Sequence, residues 1–205
     1  DDSLAHHMRR KKAALEPAHR NIDAWGAEMD GEGLNAILVT VSGCGSTIKD
    51  YAHMLRDDPA YAGKAARVSA IALDISEYLA RITLPESSGP PLTVAWHPPC
   101  SLQHAQKITD PPVRLLREAG FTVRLPADAH LCCGSAGTYN ILQPEIAGQL
   151  GARKADTLRA LDADIIATGN IGCATQISLH AGRPVVHLVE LLDWATGGPR
   201  PAALG

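Results

Sequence analysis

The sequence predicts an α/β protein of two pseudo-repeated units, each a parallel sheet flanked by helices, with cysteines in loops at the carboxyl ends of strands. Three observations carry that prediction. Short apolar, β-branched runs alternate with helical stretches along the 205 residues, and such alternation favours a parallel sheet covered on both faces. One strand, Gly-Cys, helix unit occurs twice. Every cysteine of the second half follows a predicted strand, at the edge where open parallel sheets build their sites.

Taken in order, "EPAHRNIDAWGAEM" (16–29) reads as a helix with Pro17 near its start, and "NAILVTV" (35–41) as a short buried strand. Helices are expected around 46–56 and over 59–81, the second opening near Pro59. "LPESSGPPL" (84–92) packs three prolines, a glycine and two serines into nine residues, the composition of a linker. The domain division expected is therefore 1–83, a linker at 84–91, and 92–205. In the second unit "LTVAW" (92–96) is a strand, and the loop "HPPC" leads to Cys100. "PPVRLLREAG" (111–120) has Pro at the start and Gly at the end of a helix. The strand "FTVRL" (121–125) precedes the loop with Cys132 and Cys133. "PEIAGQLGARKADTLRAL" (144–161) is a helix with Ile146, Leu150, Leu158 and Leu161 mainly on one face. "DIIAT" (164–168) leads through "GNIGC" to Cys173; a short helix, the strand "PVVHL" (184–188) and a last helix complete the unit.

The repeat aligns "AILVTVSGCGSTIK" (36–49) with "DIIATGNIGCATQI" (164–177), pairing Gly43-Cys44 with Gly172-Cys173. Cys133 lies 40 positions before Cys173, and a similar step back from Cys44 reaches Asp1-Asp2-Ser3. On this count the first copy lacks its own cysteine pair and the cysteine upstream of it. The chain is thus expected to be the C-terminal part of a larger protein, holding one partial and one complete unit.

Bulk numbers exclude some classes. The chain is 45% hydrophobic and 20% charged, with net charge −3, an ordinary globular composition without the basic face that nucleic acid or an acidic membrane surface favours. No apolar run reaches membrane-spanning length, and the N-terminal stretch lacks an apolar secretory region. The five cysteines are Cys44, Cys100, Cys132, Cys133 and Cys173; an odd number without a secretory signal argues against a disulfide framework. Adjacent cysteines rarely bond to each other, because the small ring strains the peptide between them. The readings left are a nucleophile with His97 or His130 as base, a closed zinc site, small buried residues, and an iron–sulfur cluster. A cluster is larger than one ion, so neighbouring thiolates can reach different irons. The small residues Gly134, Ser135, Ala136 and Gly172 let backbone approach closely.

The spacing is Cys100, 31 residues, Cys132-Cys133-Gly134, 38 residues, Cys173. This resembles the cysteine-rich "CCG" domain family, whose pattern is a cysteine, about thirty residues, CCG, a similar gap, then CxxC. The family includes cysteine-rich components of heterodisulfide reductase and anaerobic glycerol-3-phosphate dehydrogenase, lactate-utilisation proteins, and the iron–sulfur components of glycolate oxidase. "HHM" (6–8), "NIDAW" (21–25), "SGCGSTIKDYAHMLRDDPAYAGKAARVSA" (42–70), "HPPCSLQHAQK" (97–107), "CCGSAGTYNILQPE" (132–145) and "GNIGCATQI" (169–177) look like the glycolate oxidase type. The resemblance implies an oxidoreductase component that carries electrons from flavin-bearing subunits oxidising glycolate toward an acceptor such as quinone. It implies FAD on those partners, a ferredoxin-like N-terminal domain in the complete subunit, and a cytoplasmic complex, peripheral at the inner membrane. A subunit serving lactate or glycerol-3-phosphate, or a zinc-binding or structural module, are the alternatives.

One departure stands out: Gln176 occupies the last position of the family's CxxC. With four cysteines instead of five, the resemblance implies a [4Fe–4S] cluster on Cys100, Cys132, Cys133 and Cys173. Cys44 is left as a remnant, or as a small buried residue, with no cluster expected around it. His97 and His104 flank the Cys100 loop, and His6 and His7 lie beside the missing first pair. Each reads as a tuning or proton-carrying group or as a solvated loop histidine. Lys49 and Tyr51 read as surface residues or as lining a cleft between the copies, and Trp25 and Trp194 as core or interface. "GSAG" (134–137) lacks the rest of any phosphate-binding fingerprint and is set aside.

Overall fold

The computed structural model describes residues 11–205 apart from residue 88, with side chains from residue 15 onward. Asp1-Asp2-Ser3, His6 and His7 lie outside the described residues. The chain divides into two compact units, 1–75 and 76–205.

In the first unit α1 (Lys11–Asp30) is followed by β1 (Ile37–Val39), α2 (Ser42–Met54), α3 (Ala62–Ile71) and β2 (Ala72–Asp74). Pro17 sits inside α1, which extends further back than its sequence signal. Just after Pro17, Ala18 and, one turn further, Ile22 enter a core with Ile37, Ile48, Tyr51, Leu55, Ala65, Val68 and Ala72. Trp25 packs against that core from its edge. Tyr51 is fully buried, and its hydroxyl accepts a hydrogen bond from Asn21 at 3.0 Å, so it is a core residue rather than a surface one. Ser69 joins α3 to α2: its hydroxyl donates to the Ile48 carbonyl at 2.9 Å and accepts from the Ala52 amide at 3.1 Å.

Two expectations fail here. The helix expected over 59–81 is broken by β2, which pairs in parallel with β1 in the register Ile37↔Ala72 to Val39↔Asp74; α4 (Ile75–Leu79) then begins at once. Helical periodicity lost to the need of the β1 backbone groups for a partner. The repeat carries a signal for this break, because "ALDISE" (72–77) matches "VVHLVE" (185–190), where a strand also runs straight into a helix. The second correction concerns β1, which is not wholly buried: Leu38 is 42% exposed.

The second unit runs β3 (Thr93–His97), a single π-type turn (Ser101–Ala105), α5 (Asp110–Glu118), β4 (Thr122–Arg124), α6 (Tyr139–Leu142), α7 (Pro144–Arg159), β5 (Ile165–Thr168), α8 (Ile171–Ala181), β6 (Val185–His187) and α9 (Leu188–Ala195). The four strands are all parallel, in the order β4-β3-β5-β6. Strand alternation assigns the faces. Val94, Trp96, Ile165 and Ala167 meet Leu115 and Leu116 of α5 and Leu188, Leu191 and Leu192 of α9, with Trp194 at the margin. Ala95 and Ile166 meet Ala155 and Leu158 of α7, Ile177 and Ala181 of α8, and two cysteines, Cys133 and Cys173.

The buried stripe of α7 is Ala147, Gly151, Lys154, Ala155 and Leu158. Ile146, expected on the inner face, is 48% exposed. Close packing on α8 selects small residues instead: a Cβ on Gly151 would lie 2.9 Å from Gln176 Nε2 and from the His180 ring. Among the described residues no helix is long and apolar enough to cross a membrane.

Candidate functional site

Each cysteine lies just beyond the carboxyl end of a strand. Cys100 precedes the π-type turn after β3, Cys132 and Cys133 occupy the irregular segment after β4, and Cys173 is the third residue of α8. Cys44 stands third in α2, the equivalent place in the first unit. The two copies thus agree in structure as they do in sequence.

The α8 end is fixed by Asn170, the N-cap, whose side-chain oxygen accepts from the Gly172 amide at 2.9 Å and the Cys173 amide at 3.3 Å. Asn170→Ala is expected to lower unfolding free energy by about 1 kcal/mol in urea denaturation, the usual effect of a lost cap. Gly172 leaves room for the cysteine-pair loop, since a Cβ there would lie 2.8 Å from Ser135 Oγ.

The segment before the pair is held from both sides. Gln103 Nε2 donates to the Ala129 carbonyl at 2.8 Å, and Nε2 of the exposed His104 lies 3.2 Å from the His130 carbonyl. Below them Lys154, fully buried on α7, donates to the Asp128 carbonyl at 2.7 Å and reaches its carboxylate at 3.3 Å. Burial acts to raise the Asp128 carboxyl, yet hydrogen bonds from Thr157 and Lys154 and the lysine charge hold it below its ordinary range. A carboxyl lowered in the folded state stabilises above its unfolded value, about pH 4. That contribution disappears as the pH falls through the folded value. Lys154→Met leaves Asp128 without its cation and is expected to cost about 3 kcal/mol, measured by denaturant unfolding at pH 7. Nothing in the sequence marks Lys154 for this role, because a lysine on a helix normally reaches solvent.

The four thiols of the second unit come together as a chain of contacts. Cys100 acts on the ionisation of Cys132, Cys132 on that of Cys133, and Cys133 on that of Cys173, so each thiol neighbours the next. Their ionisation divides accordingly. Cys132 is lowered to about 2, first by the Cys100 thiol, then by that of Cys133, with burial opposing and the Gly134 and Ala136 amides adding to the effect. The Gly134 amide donates to Cys132 Sγ at 3.3 Å. Cys173 is lowered to about 6, first by the Cys133 thiol, against the penalty of burial, and then by His97. Cys100 and Cys133 are raised, chiefly because each donates to Cys132. Without a cation only two of the four sulfurs favour the thiolate form; a cationic centre among them would stabilise all four as thiolates. The donor set therefore fits a polynuclear thiophilic metal group.

His97 is the residue whose place differs most from expectation. It closes β3 instead of lying in the following loop, is 1% exposed, and points to the cysteine face. One ring nitrogen and the sulfurs of Cys133 and Cys173 all lie within 4.8 Å of one another. The alternation of Ala95 and His97 along the strand carries the signal for this orientation. Gln176, at the last CxxC position, is buried and spends its amide on the Ala147 carbonyl at 3.0 Å. Cys44 belongs to the first unit.

Comparison with known proteins matches residues 94–178 to CCG, the cysteine-rich domain. That match includes all four clustered cysteines. Over that stretch the chain is similar to the cysteine-rich domain. It is 39% identical over 94% of its length to the glycolate oxidase iron-sulfur subunit of Escherichia coli. It is 30% identical over 95% of its length to the probable glycolate oxidase iron-sulfur subunit of Bacillus subtilis. Lactate utilization protein A of Bacillus licheniformis is 28% identical over 76% of this chain and 69% of its own length. The chain spans about half the length of the two glycolate oxidase relatives, 47% and 46%. The matched stretch runs from β3 through β5 into α8 and takes in the loops that carry the four cysteines, with β6 beyond it.

Proposed function

We propose that this chain is the electron-carrying, iron–sulfur part of a glycolate-oxidising complex. The observation that carries the proposal is the convergence of Cys100, Cys132, Cys133 and Cys173 from three connections at one edge of a parallel sheet. These four would hold a [4Fe–4S] cluster, which when bound supplies one-electron transfer. The chain's own part is to shape and insulate that position. Gly134 and Gly172 bring backbone close, the Gly134 amide points at a sulfur, and Asn170 and Lys154 fix the two flanking segments.

Residues 92–205 are proposed as a complete cysteine-rich unit and residues 1–83 as a partial one. The repeat of strand, helix and third-position cysteine supports this division. Substrate oxidation belongs, on this proposal, to flavin-bearing partner subunits. A surface cavity of about 300 Å³ in the second unit is lined by Leu84, Pro85, Arg114 and Glu118 and includes none of the four cysteines. Apolar side chains near the cysteine loops favour partner contact: Ile141, Leu142 and Ile171 are 74%, 65% and 64% exposed, and exposed apolar groups of this kind mark interaction surfaces. On this proposal the complex is cytoplasmic, with peripheral contact to the inner membrane made through its partners.

Anaerobic reconstitution with iron and sulfide tests the proposal. Uptake of about four irons per chain, as one [4Fe–4S] cluster requires, with an EPR signal on reduction, is the expected result. Tight zinc binding without iron uptake would instead support a zinc module. Copurification with a glycolate- or a lactate-oxidising flavoprotein distinguishes the glycolate reading from its lactate counterpart.

A further inference from the structure

We propose that His97 supplies a nitrogen ligand to the metal centre, a fifth protein ligand beside the four cysteines, so that one iron takes two protein ligands. The inference rests on the cluster reading above and extends it to a residue outside the cysteine pattern.

The first argument is an unmet need. His97 is 1% exposed; it faces the Cys173 thiol, which it helps to lower, yet neither ring nitrogen meets a partner at full hydrogen-bond geometry among the described residues. A buried polar group left unpaired costs about 1–3 kcal/mol, so an imidazole with two such nitrogens calls for a bound group. The second argument is geometry. The face alternation of β3 sends the ring to the cysteine side, where one nitrogen lies within 4.8 Å of the Cys133 and Cys173 sulfurs, and those sulfurs lie equally close to each other. One nitrogen and two sulfurs at that separation could hold a metal ion among them. Gln176, on the next turn of α8, is tied to the Ala147 carbonyl, which leaves His97 of β3 as the nitrogen donor facing Cys133 and Cys173.

The partner for the second ring nitrogen is also in view. Thr168 is the parallel-strand neighbour of His97 in register, is fully buried, and its hydroxyl likewise has no partner among the described residues. Histidines that bind metal through one nitrogen commonly offer the other N–H to a nearby oxygen. The bond required is simple: one nitrogen donates its lone pair to iron and the proton stays on the other. A neutral nitrogen adds no negative charge to the centre, so its chemical consequence is a higher reduction potential than an added thiolate would give.

The test needs no substitution at first. The full chain, grown with nitrogen-15 histidine, is reconstituted anaerobically, reduced, and examined by pulsed EPR. A strong nitrogen-15 coupling is expected, well above the weak coupling of an N–H near sulfur, and it should persist in His104→Gln and vanish in His97→Ala. Potentiometry then provides a second readout, with His97→Cys expected to load iron and to shift to lower potential. A cluster that forms with only weak histidine coupling overturns the assignment of His97 and leaves the cluster reading standing. Failure to load iron at all overturns both.

Discussion

Cys132→Ser is expected to abolish iron loading, from about four irons per chain to less than about one, while the metal-free fold survives. Cys132 is the junction of the thiol group: the Cys100 and Cys133 thiols both favour its ionised form, and the Gly134 amide points at its sulfur. Its sulfur is the most readily ionised of the four, a consequence of those same donors. A serine hydroxyl has nearly the same shape but neither the acidity nor the softness that iron–sulfur ligation uses. The side chain is only partly buried, so the stability of the metal-free chain should change by no more than about 0.5 kcal/mol. Iron analysis of the reconstituted variant, paired with denaturation of the metal-free form, separates loss of ligand from loss of fold. Cys44→Ser is the comparison, expected to keep its full iron content because Cys44 belongs to the other unit. Full iron in Cys132→Ser would remove Cys132 from the ligand set.

Gly134→Ala is expected to be the most destabilising single-methyl change in the second unit. Gly134 has φ +92°, and an added Cβ would lie 2.5 Å from the Ala147 carbonyl oxygen and 3.2 Å from its Cα. The obstacle is helix backbone, fixed within α7 and already receiving the Gln176 amide, so it cannot move aside as a side-chain tip would. Left-handed backbone costs a non-glycine residue about 1–2 kcal/mol and overpacking about 1–3 kcal/mol more. A loss of roughly 2–5 kcal/mol in urea unfolding is therefore expected, together with poor iron retention as Cys133 shifts. Gly148→Ala, one position from Ala147 on the same helix, meets nothing within 4 Å and should stabilise by about 0.5–1 kcal/mol. If Gly134→Ala unfolds like the native chain, the close approach of this loop to α7 is wrong.

Much of this arrangement is legible in the sequence, for identifiable reasons. Strands β3 and β5 are apolar runs bounded by Pro or Gly, and both are buried on two faces as such runs imply. Pro111 and Gly120 bracket α5 as expected, Gly120 taking φ +92°. The repeat around Cys44 and Cys173 reappears as two strand–helix joints with cysteine in the same helical position. What escaped reading depended on distant partners. The break of 59–81 into α3, β2 and α4 is set by β1, more than thirty residues away. The inner face of α7 is small rather than leucine-rich because α8 packs close to it.

The sequence by itself determined the parallel α/β class, the two copies, and the edge at which the cysteines appear. Each follows from local pattern: alternating apolar runs, a recurring Gly-Cys at a strand end, and CCG spacing. Only the tertiary structure decided which groups share the site. The pleat turns His97 inward, α7 carries Lys154 beneath the Asp128 turn, and Gln176 is drawn to Ala147. Those assignments rest on close packing between elements far apart in the chain, and close packing leaves no trace in local periodicity.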